Sequence, residues 1–190
     1  MIRILNYSEV PASEVFARSV PEVDVAGIVK EIIAEVRARG DAALYDYCAK
    51  FDKAELASLE VSPQEFDAAM AAVEPEFIEV LETAAANIRA FHEKQVRSSF
   101  IIAEKDGVVM GQKVTPLERV GLYVPGGTAA YPSTVLMDAI PAKIAGCGEL
   151  IITTPPARDG SVNPAILAAA KVAGVDRVFK VGGSQAIAAL

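Results

Sequence analysis

The sequence has only one histidine, His92, and two cysteines, Cys48 and Cys147, among its 190 residues. A protein zinc site needs three or four His, Cys or carboxylate ligands, and one histidine with two distant cysteines does not assemble one. The same scarcity excludes a Ser/His/Asp or a Cys/His catalytic arrangement. We therefore interpret His92 as a structural or surface residue, and both cysteines as reduced, buried thiols rather than a disulfide.

Basic clusters and long apolar runs are also absent. The chain has 18 Lys and Arg against 25 Asp and Glu, a net charge of −7, which disfavours contact with a nucleic-acid backbone. The most apolar stretch, residues 166–175, is interrupted by Lys171 and is too short to span a bilayer. No secretory signal segment is visible. We expect a cytoplasmic protein with neither a nucleic-acid nor a membrane partner.

The first part of the chain, through about residue 95, has helical periodicity. Asp24 can cap one helix, Gly40 can end it, and Asp41 can cap the next. The apolar positions that recur at helical spacing are Ile28, Ile32, Ile33 and Val36 in the first of these helices, and Leu44, Tyr47, Cys48 and Phe51 in the second.

Two further helices are predicted before residue 96. Residues 62–65 read Ser-Pro-Gln-Glu, a capping box with proline at the first helical position. A long amphipathic run then extends from Pro75 to about Gln95. Its apolar stripe consists of Phe77, Leu81, Ala84, Ile88 and Phe91.

The middle of the chain predicts an antiparallel hairpin. Residues 100–104 and 108–114 have strand character and flank Lys105-Asp106-Gly107, whose Asp-Gly pair is a good hairpin turn.

From residue 120 onward, strands alternate with helices. Strands are predicted at 120–124, 150–154 and 178–181, with helices at 133–145, at 164–173 and from Ser184. Such alternation implies βαβ units and a parallel sheet. We therefore divide the chain into residues 1–118, which are helical with a hairpin, and residues 119–190, which begin a doubly wound α/β layer.

Two glycine-rich turns follow strands of this sheet, at residues 121–127 and 182–185. Ligands of parallel sheets bind beyond the carboxyl ends of the strands, where glycine lets the backbone approach phosphate. Neither turn has the G-x-G-x-x-G dinucleotide fingerprint. A nucleotide role and a plain turn therefore both remain open from the spacing alone.

Longer motifs around these turns resemble the histidinol dehydrogenase family. They read RVGLYVPGG at 119–127, STVLM at 133–137, PAKIAGC at 141–147 and VGGSQAIAAL at 181–190, with RARGDAAL at 37–44 and KFD at 50–52 upstream. The resemblance covers essentially the whole chain in order. It implies an incomplete Rossmann-like sheet, of which this chain holds the first βαβαβ part.

The resemblance also implies a function. Members oxidise L-histidinol to L-histidine in two hydride transfers to NAD, as homodimers whose zinc orients the substrate. Tyr123 and Gln185 match residues of the family's NAD site, and Gly126 and Gly127 are expected in the same wall. The family's zinc ligands and its catalytic glutamate–histidine pair have no counterparts here, so we assign no catalytic and no metal-binding residue to this chain.

Three interpretations remain open. The chain stops at Leu190 in a helix of one or two turns, which favours a fragment whose catalytic positions lie further along. The alternatives are a non-catalytic nucleotide-binding or scaffold module and the N-terminal subunit of a split enzyme. For a fragment we expect self-association or limited stability, and NAD affinity in the millimolar range or weaker.

Overall fold

The computed structural model describes residues 4–6, 8–17, 25–127 and 129–190. The predicted cap Asp24 lies outside these residues. In chain order the helices are α1 (Ala12–Val15), α2 (Val25–Arg39), α3 (Asp41–Tyr47), α4 (Pro63–Ala72), α5 (Pro75–His92), α6 (Pro132–Ile144), α7 (Pro164–Ala173) and α8 (Gly183–Ala189). The strands are β1 (Phe100–Lys105), β2 (Val108–Gln112), β3 (Arg119–Tyr123), β4 (Glu149–Thr154) and β5 (Arg177–Lys180).

Strands β3, β4 and β5 form a parallel sheet in that order, as predicted. Side chains alternate between its two faces, and both faces are covered by helices. Val124, Ile152 and Val178 lie in a hydrophobic cluster with α4, α5, α6 and α7. Tyr123 and Phe179 point the other way and pack against a second cluster from α2, α3 and α8. The doubly wound α/β architecture is therefore confirmed.

The outer edge of β5 pairs with a short extended segment that precedes α4. The N–H of Val61 donates to the carbonyl of Val178 at 2.9 Å, and the N–H of Lys180 donates to the carbonyl of Leu59 at 2.7 Å. The segment is too short for any periodicity, and the sequence analysis did not find it. Helices of residues 1–118 likewise share both hydrophobic clusters with the sheet, while the boundary at residue 118 stays a prediction.

Of the two predicted caps within the described residues, Asp41 is wrong, because it is the first residue of α3 and Gly40 precedes it with no side-chain cap, whereas the capping box of α4 is confirmed. In the capping box, the Ser62 hydroxyl accepts from the N–H of Glu65 at 3.3 Å, and the N–H of Ser62 donates to the Glu65 carboxylate at 2.7 Å. Phe51 shares a face with Tyr47, on which it stacks, but it remains 49% exposed. The reason is a π-helical turn, Cys48–Asp52, whose wider spacing rotates Phe51 away from the core.

Two residues of the apolar stripes found in the sequence are exposed. Phe91 is 66% exposed in the last turn of α5, and Ile28 is 53% exposed near the start of α2. The apolar stripes therefore run further toward the helix ends than the packing does. Ile32, Val36 and Leu81 are buried as expected.

The hairpin is confirmed, with Phe100 opposite Gln112 and Ile102 opposite Met110. Its second strand ends at Gln112, two residues earlier than predicted. The N–H of Val114 donates to the Ser99 hydroxyl at 2.8 Å instead of continuing the ladder. Every residue from 93 to 119 is exposed. Across the part of the chain that the structure describes, no helix is long and apolar enough to cross a membrane.

Candidate functional site at the carboxyl ends of the strands

The two glycine turns meet around one proline. A β-carbon built at Gly182 would lie 2.6 Å from Cβ of Pro155, and one built at Gly126 would lie 3.0 Å from its Cγ. Pro155 follows β4, the central strand, so it packs between the turns that follow β3 and β5. The contact at Gly182 is closer than a β-carbon allows and the one at Gly126 is tight, so glycine lets the turns converge. The sequence analysis named the turns but not Pro155.

Tyr123 ends β3 and reaches the turn that begins α8. Its hydroxyl oxygen accepts a hydrogen bond from the backbone N–H of Gly183 at 3.1 Å. The ring is half-buried against the second hydrophobic cluster, which includes Val181 and Ala186. Tyr123 thus has a fixed orientation at the carboxyl edge of the sheet, and its hydroxyl oxygen already accepts one hydrogen bond.

Gln185 is buried in the first turn of α8, with 2% of its surface exposed. Gly183 has a φ of +66°, and a β-carbon there would lie 2.7 Å from Oε1 of Gln185. Within residues 4–6, 8–17, 25–127 and 129–190, no hydrogen bond to the Gln185 amide is formed. The oxygen and nitrogen of this amide are not among the unpaired side-chain atoms that are sealed from solvent, so the amide keeps a small opening and is available to a ligand or to bound water.

Gly126 and Gly127 line a separate cleft of about 350 Å³. Its walls also include Thr154 at the end of β4, Pro155 directly after it, and Asn163, the residue before α7. Gly127 has a φ of +99°, and a β-carbon there would meet nothing within 4 Å, so its backbone faces open space. Tyr123 and Gln185 do not line this cleft. The structure therefore groups the four predicted residues into two pairs: Tyr123 and Gln185 lie beside Gly183, whereas Gly126 and Gly127 line the cleft.

The Asn163 side chain caps α7 by accepting from the N–H of Ala165 at 2.9 Å. Thr154 is buried beside Gly126, where its hydroxyl oxygen would be 3.2 Å from a built β-carbon. Sequence reasoning assigned neither residue to a site. Thr154 could have been found as the last residue of the central parallel strand, the position from which ligand contacts commonly arise.

The titratable groups of the described residues do not form a metal-binding cluster. Within the described ranges, no three His, Cys, Asp or Glu side chains are close enough to hold a metal ion. His92 contacts the Gln95 side chain through Nδ1 at 2.7 Å, far from the glycine turns in sequence. Burial raises the pKa of the Cys48 thiol to about 11, with a further contribution from Asp52. Burial also raises the pKa of Asp138 on α6. The donor set among these residues does not fit zinc.

Comparison with known proteins identifies the family. A sequence model described as histidinol dehydrogenase matches residues 17–190. The chain belongs to the histidinol dehydrogenase family. Among its relatives, the histidinol dehydrogenase of Clostridium acetobutylicum is 55% identical over 167 residues, which cover 88% of this chain and 39% of that protein. The histidinol dehydrogenase of Methanosarcina barkeri is 51% identical over 189 residues, covering 99% and 44%.

A solved histidinol dehydrogenase supports the same conclusion at the level of the fold. The crystal structure of the enzyme from Elizabethkingia anophelis has a TM-score of 0.85 and is 41% identical in sequence. The match covers 94% of this chain and 42% of that one. The chain therefore spans less than half the length of these histidinol dehydrogenases.

Proposed function

We propose that this chain supplies part of the NAD-binding wall of a histidinol dehydrogenase, the enzyme that oxidises L-histidinol to L-histidine in the last step of histidine biosynthesis. The observation that carries the proposal is the convergence of two glycine turns, Tyr123 and Gln185 at the carboxyl ends of three parallel strands, in a chain of this family.

The residues fit a dinucleotide. The open backbone at Gly127 and the cleft beside it admit a phosphate-bearing group, and α7 begins at the cleft, where the positive end of the helix dipole favours negative charge. Tyr123 offers a half-buried aromatic ring, and the unpaired Gln185 amide offers both a donor and an acceptor. When bound, NAD accepts a hydride in each of two oxidations. The role of the two side chains and of the two glycines, Gly126 and Gly127, is to hold and orient the NAD.

Zinc binding and the acid–base chemistry of the reaction are assigned to other residues of the whole enzyme. Because the donor set among the described residues does not fit zinc, we place the zinc and the acid–base pair of the whole enzyme outside this chain. The whole enzyme is proposed to act as a cytoplasmic homodimer. The chain by itself is then inactive.

The first test is NADH formation by the purified chain with L-histidinol, NAD and zinc, after expression in a host that lacks its own enzyme. We expect no turnover from this chain and turnover from an intact relative under the same conditions. Turnover by the chain alone would show that its own residues supply the acid–base chemistry, and would contradict the assignment.

The second test measures NAD binding directly, by saturation-transfer NMR. We expect weak binding, in the millimolar range or weaker, that Tyr123→Ala and Gln185→Ala each reduce. Gln64→Ala is the matched control, because Gln64 is exposed on α4. Equal binding by all three variants, or none by the unaltered chain, would remove support for the NAD wall.

A further inference from the structure

The β1–β2 hairpin exposes apolar side chains on both of its faces. Ile101 and Val109 lie on one face and are 78% and 72% exposed. Phe100, Ile102 and Met110 lie on the other face and are 51%, 37% and 59% exposed. Because every residue from 93 to 119 is exposed, no described element of the chain covers either face.

This pattern is typical of a strand pair buried inside a layered sheet. A sheet with one face in water alternates apolar and polar residues, whereas strands covered on both faces read as continuous apolar runs. The runs Phe-Ile-Ile-Ala at 100–103 and Val-Val-Met at 108–110 are of the second kind. A lone two-stranded hairpin is also marginally stable in water. We therefore expect other polypeptide to pack against both faces of the hairpin.

We propose that the hairpin is the docking element for the remaining polypeptide of a full-length histidinol dehydrogenase, which covers both of its faces. The hairpin lies inside residues 17–190, which the family model matches. The match accounts for 42% of the Elizabethkingia anophelis chain, so more than half of that chain is available to pack against it.

A second copy of this chain fits less well. In a two-fold interface where the hairpin packs face to face on the hairpin of a partner, one face is buried and the other stays in water. A domain-sized polypeptide can cover both. The tip, with Glu104, Lys105 and Asp106, is charged and suits a surface position, so the stem of the hairpin is the buried part.

The proposal is tested by co-expressing this chain with the part of the Clostridium acetobutylicum relative that lies outside the match, and purifying through a tag on this chain. No NAD or histidinol is added, so the result does not depend on the proposed NAD role. We expect a one-to-one complex that Ile101→Lys with Val109→Lys weakens at least tenfold. Val80→Lys is the matched control, because Val80 is 61% exposed on α5.

Equal recovery of the complex with the hairpin and control variants would overturn the proposal. Self-association of this chain that the hairpin variant abolishes and the added polypeptide leaves unchanged would also overturn it, in favour of a second copy. A second measurement avoids reliance on a separately made polypeptide. Hairpin amides should exchange hydrogen rapidly in this chain and at least a hundredfold more slowly in the intact relative, and equally rapid exchange in both would refute the docking.

Discussion

The hydroxyl oxygen of Tyr123 accepts a hydrogen bond from the backbone N–H of Gly183 across 3.1 Å. Since β4 lies between β3 and β5 in the sheet, this bond joins the turns at the two outer strands. Pro155 packs between the same turns from the central strand. The candidate NAD wall is therefore braced by this chain's own contacts before any ligand is bound, which limits the ordering that a ligand must bring about.

Tyr123→Phe should lower the free energy of unfolding by about 0.5 to 1 kcal/mol, the lower part of the range for one hydrogen bond, because the exposed N–H of Gly183 can turn to water. Urea unfolding measures this change. Tyr47→Phe is the control, since the Tyr47 hydroxyl has no hydrogen-bond partner among the described residues. An equal loss in both variants would mean that the bond to Gly183 contributes nothing.

Gly183→Ala should lower the free energy of unfolding more than Gly174→Ala does. Gly183 and Gly174 both have positive φ, +66° and +74°. A β-carbon at Gly174 meets only the end of Lys143, at 3.9 Å, so Gly174→Ala should cost about 1 kcal/mol for the backbone alone.

At Gly183 the new β-carbon would also displace the buried amide of Gln185, 2.7 Å away, which adds a further loss of about 1 to 3 kcal/mol. Thermal or urea unfolding of the two variants gives the comparison. If Gly183→Ala were no worse than Gly174→Ala, the Gln185 amide would have to be mobile rather than packed against this turn.

The sequence predicts the local structure well because each signal is local. The capping box at Ser62 and Glu65, the Asp-Gly turn of the hairpin and the alternation of strands and helices are all read from neighbouring residues, and all are confirmed. The apolar stripes are less reliable at helix ends, as Phe91 shows, because periodicity does not say where a packing neighbour stops.

Contacts between distant segments could not be predicted in this way. The pairing of Leu59 and Val61 with β5 depends on a few residues with no periodicity. The position of Pro155 between the glycine turns depends on the order of the strands in the sheet. The family resemblance found Tyr123 and Gln185, but only the geometry shows that both lie beside Gly183 and that Gly126 and Gly127 line a separate cleft.

The ion pair between Glu65 and Lys180 should make stability depend on acidic pH. Nζ of Lys180 lies 2.9 Å from Oε1 of Glu65, and the lysine side chain is only 8% exposed. Burial raises the pKa of Glu65, but the hydrogen bonds from Ser62 and Lys180 outweigh it and leave the pKa below its ordinary value of 4.5. The stabilisation is therefore complete above about pH 4.5 and is lost as the pH falls through the lower pKa of the folded state.

Glu65→Gln should lower the free energy of unfolding at neutral pH by about 1 to 3 kcal/mol, less than for a fully buried pair because Glu65 keeps contact with water. It should also flatten the decline in stability below pH 4.5. Glu82→Gln, at an exposed position on α5, is the control. Unfolding curves from neutral to acidic pH measure both effects, and parallel pH profiles for the unaltered chain and Glu65→Gln would contradict the assignment.

The two cysteines should differ sharply in reactivity. Cys48 is fully buried, and burial followed by the charge of Asp52 raises the pKa of its thiol to about 11. At pH 8 only about one Cys48 thiol in a thousand is then ionised, and the thiolate is the reactive form. Cys147 is partly exposed, and neither cysteine is in a disulfide. Alkylation of the native chain at pH 8 should therefore modify Cys147 first, and mass spectrometry should show a second modification only after unfolding. With Cys147→Ser the native chain should take up almost no label, and rapid labelling of that variant would mean that the π-helical turn around Cys48 opens readily.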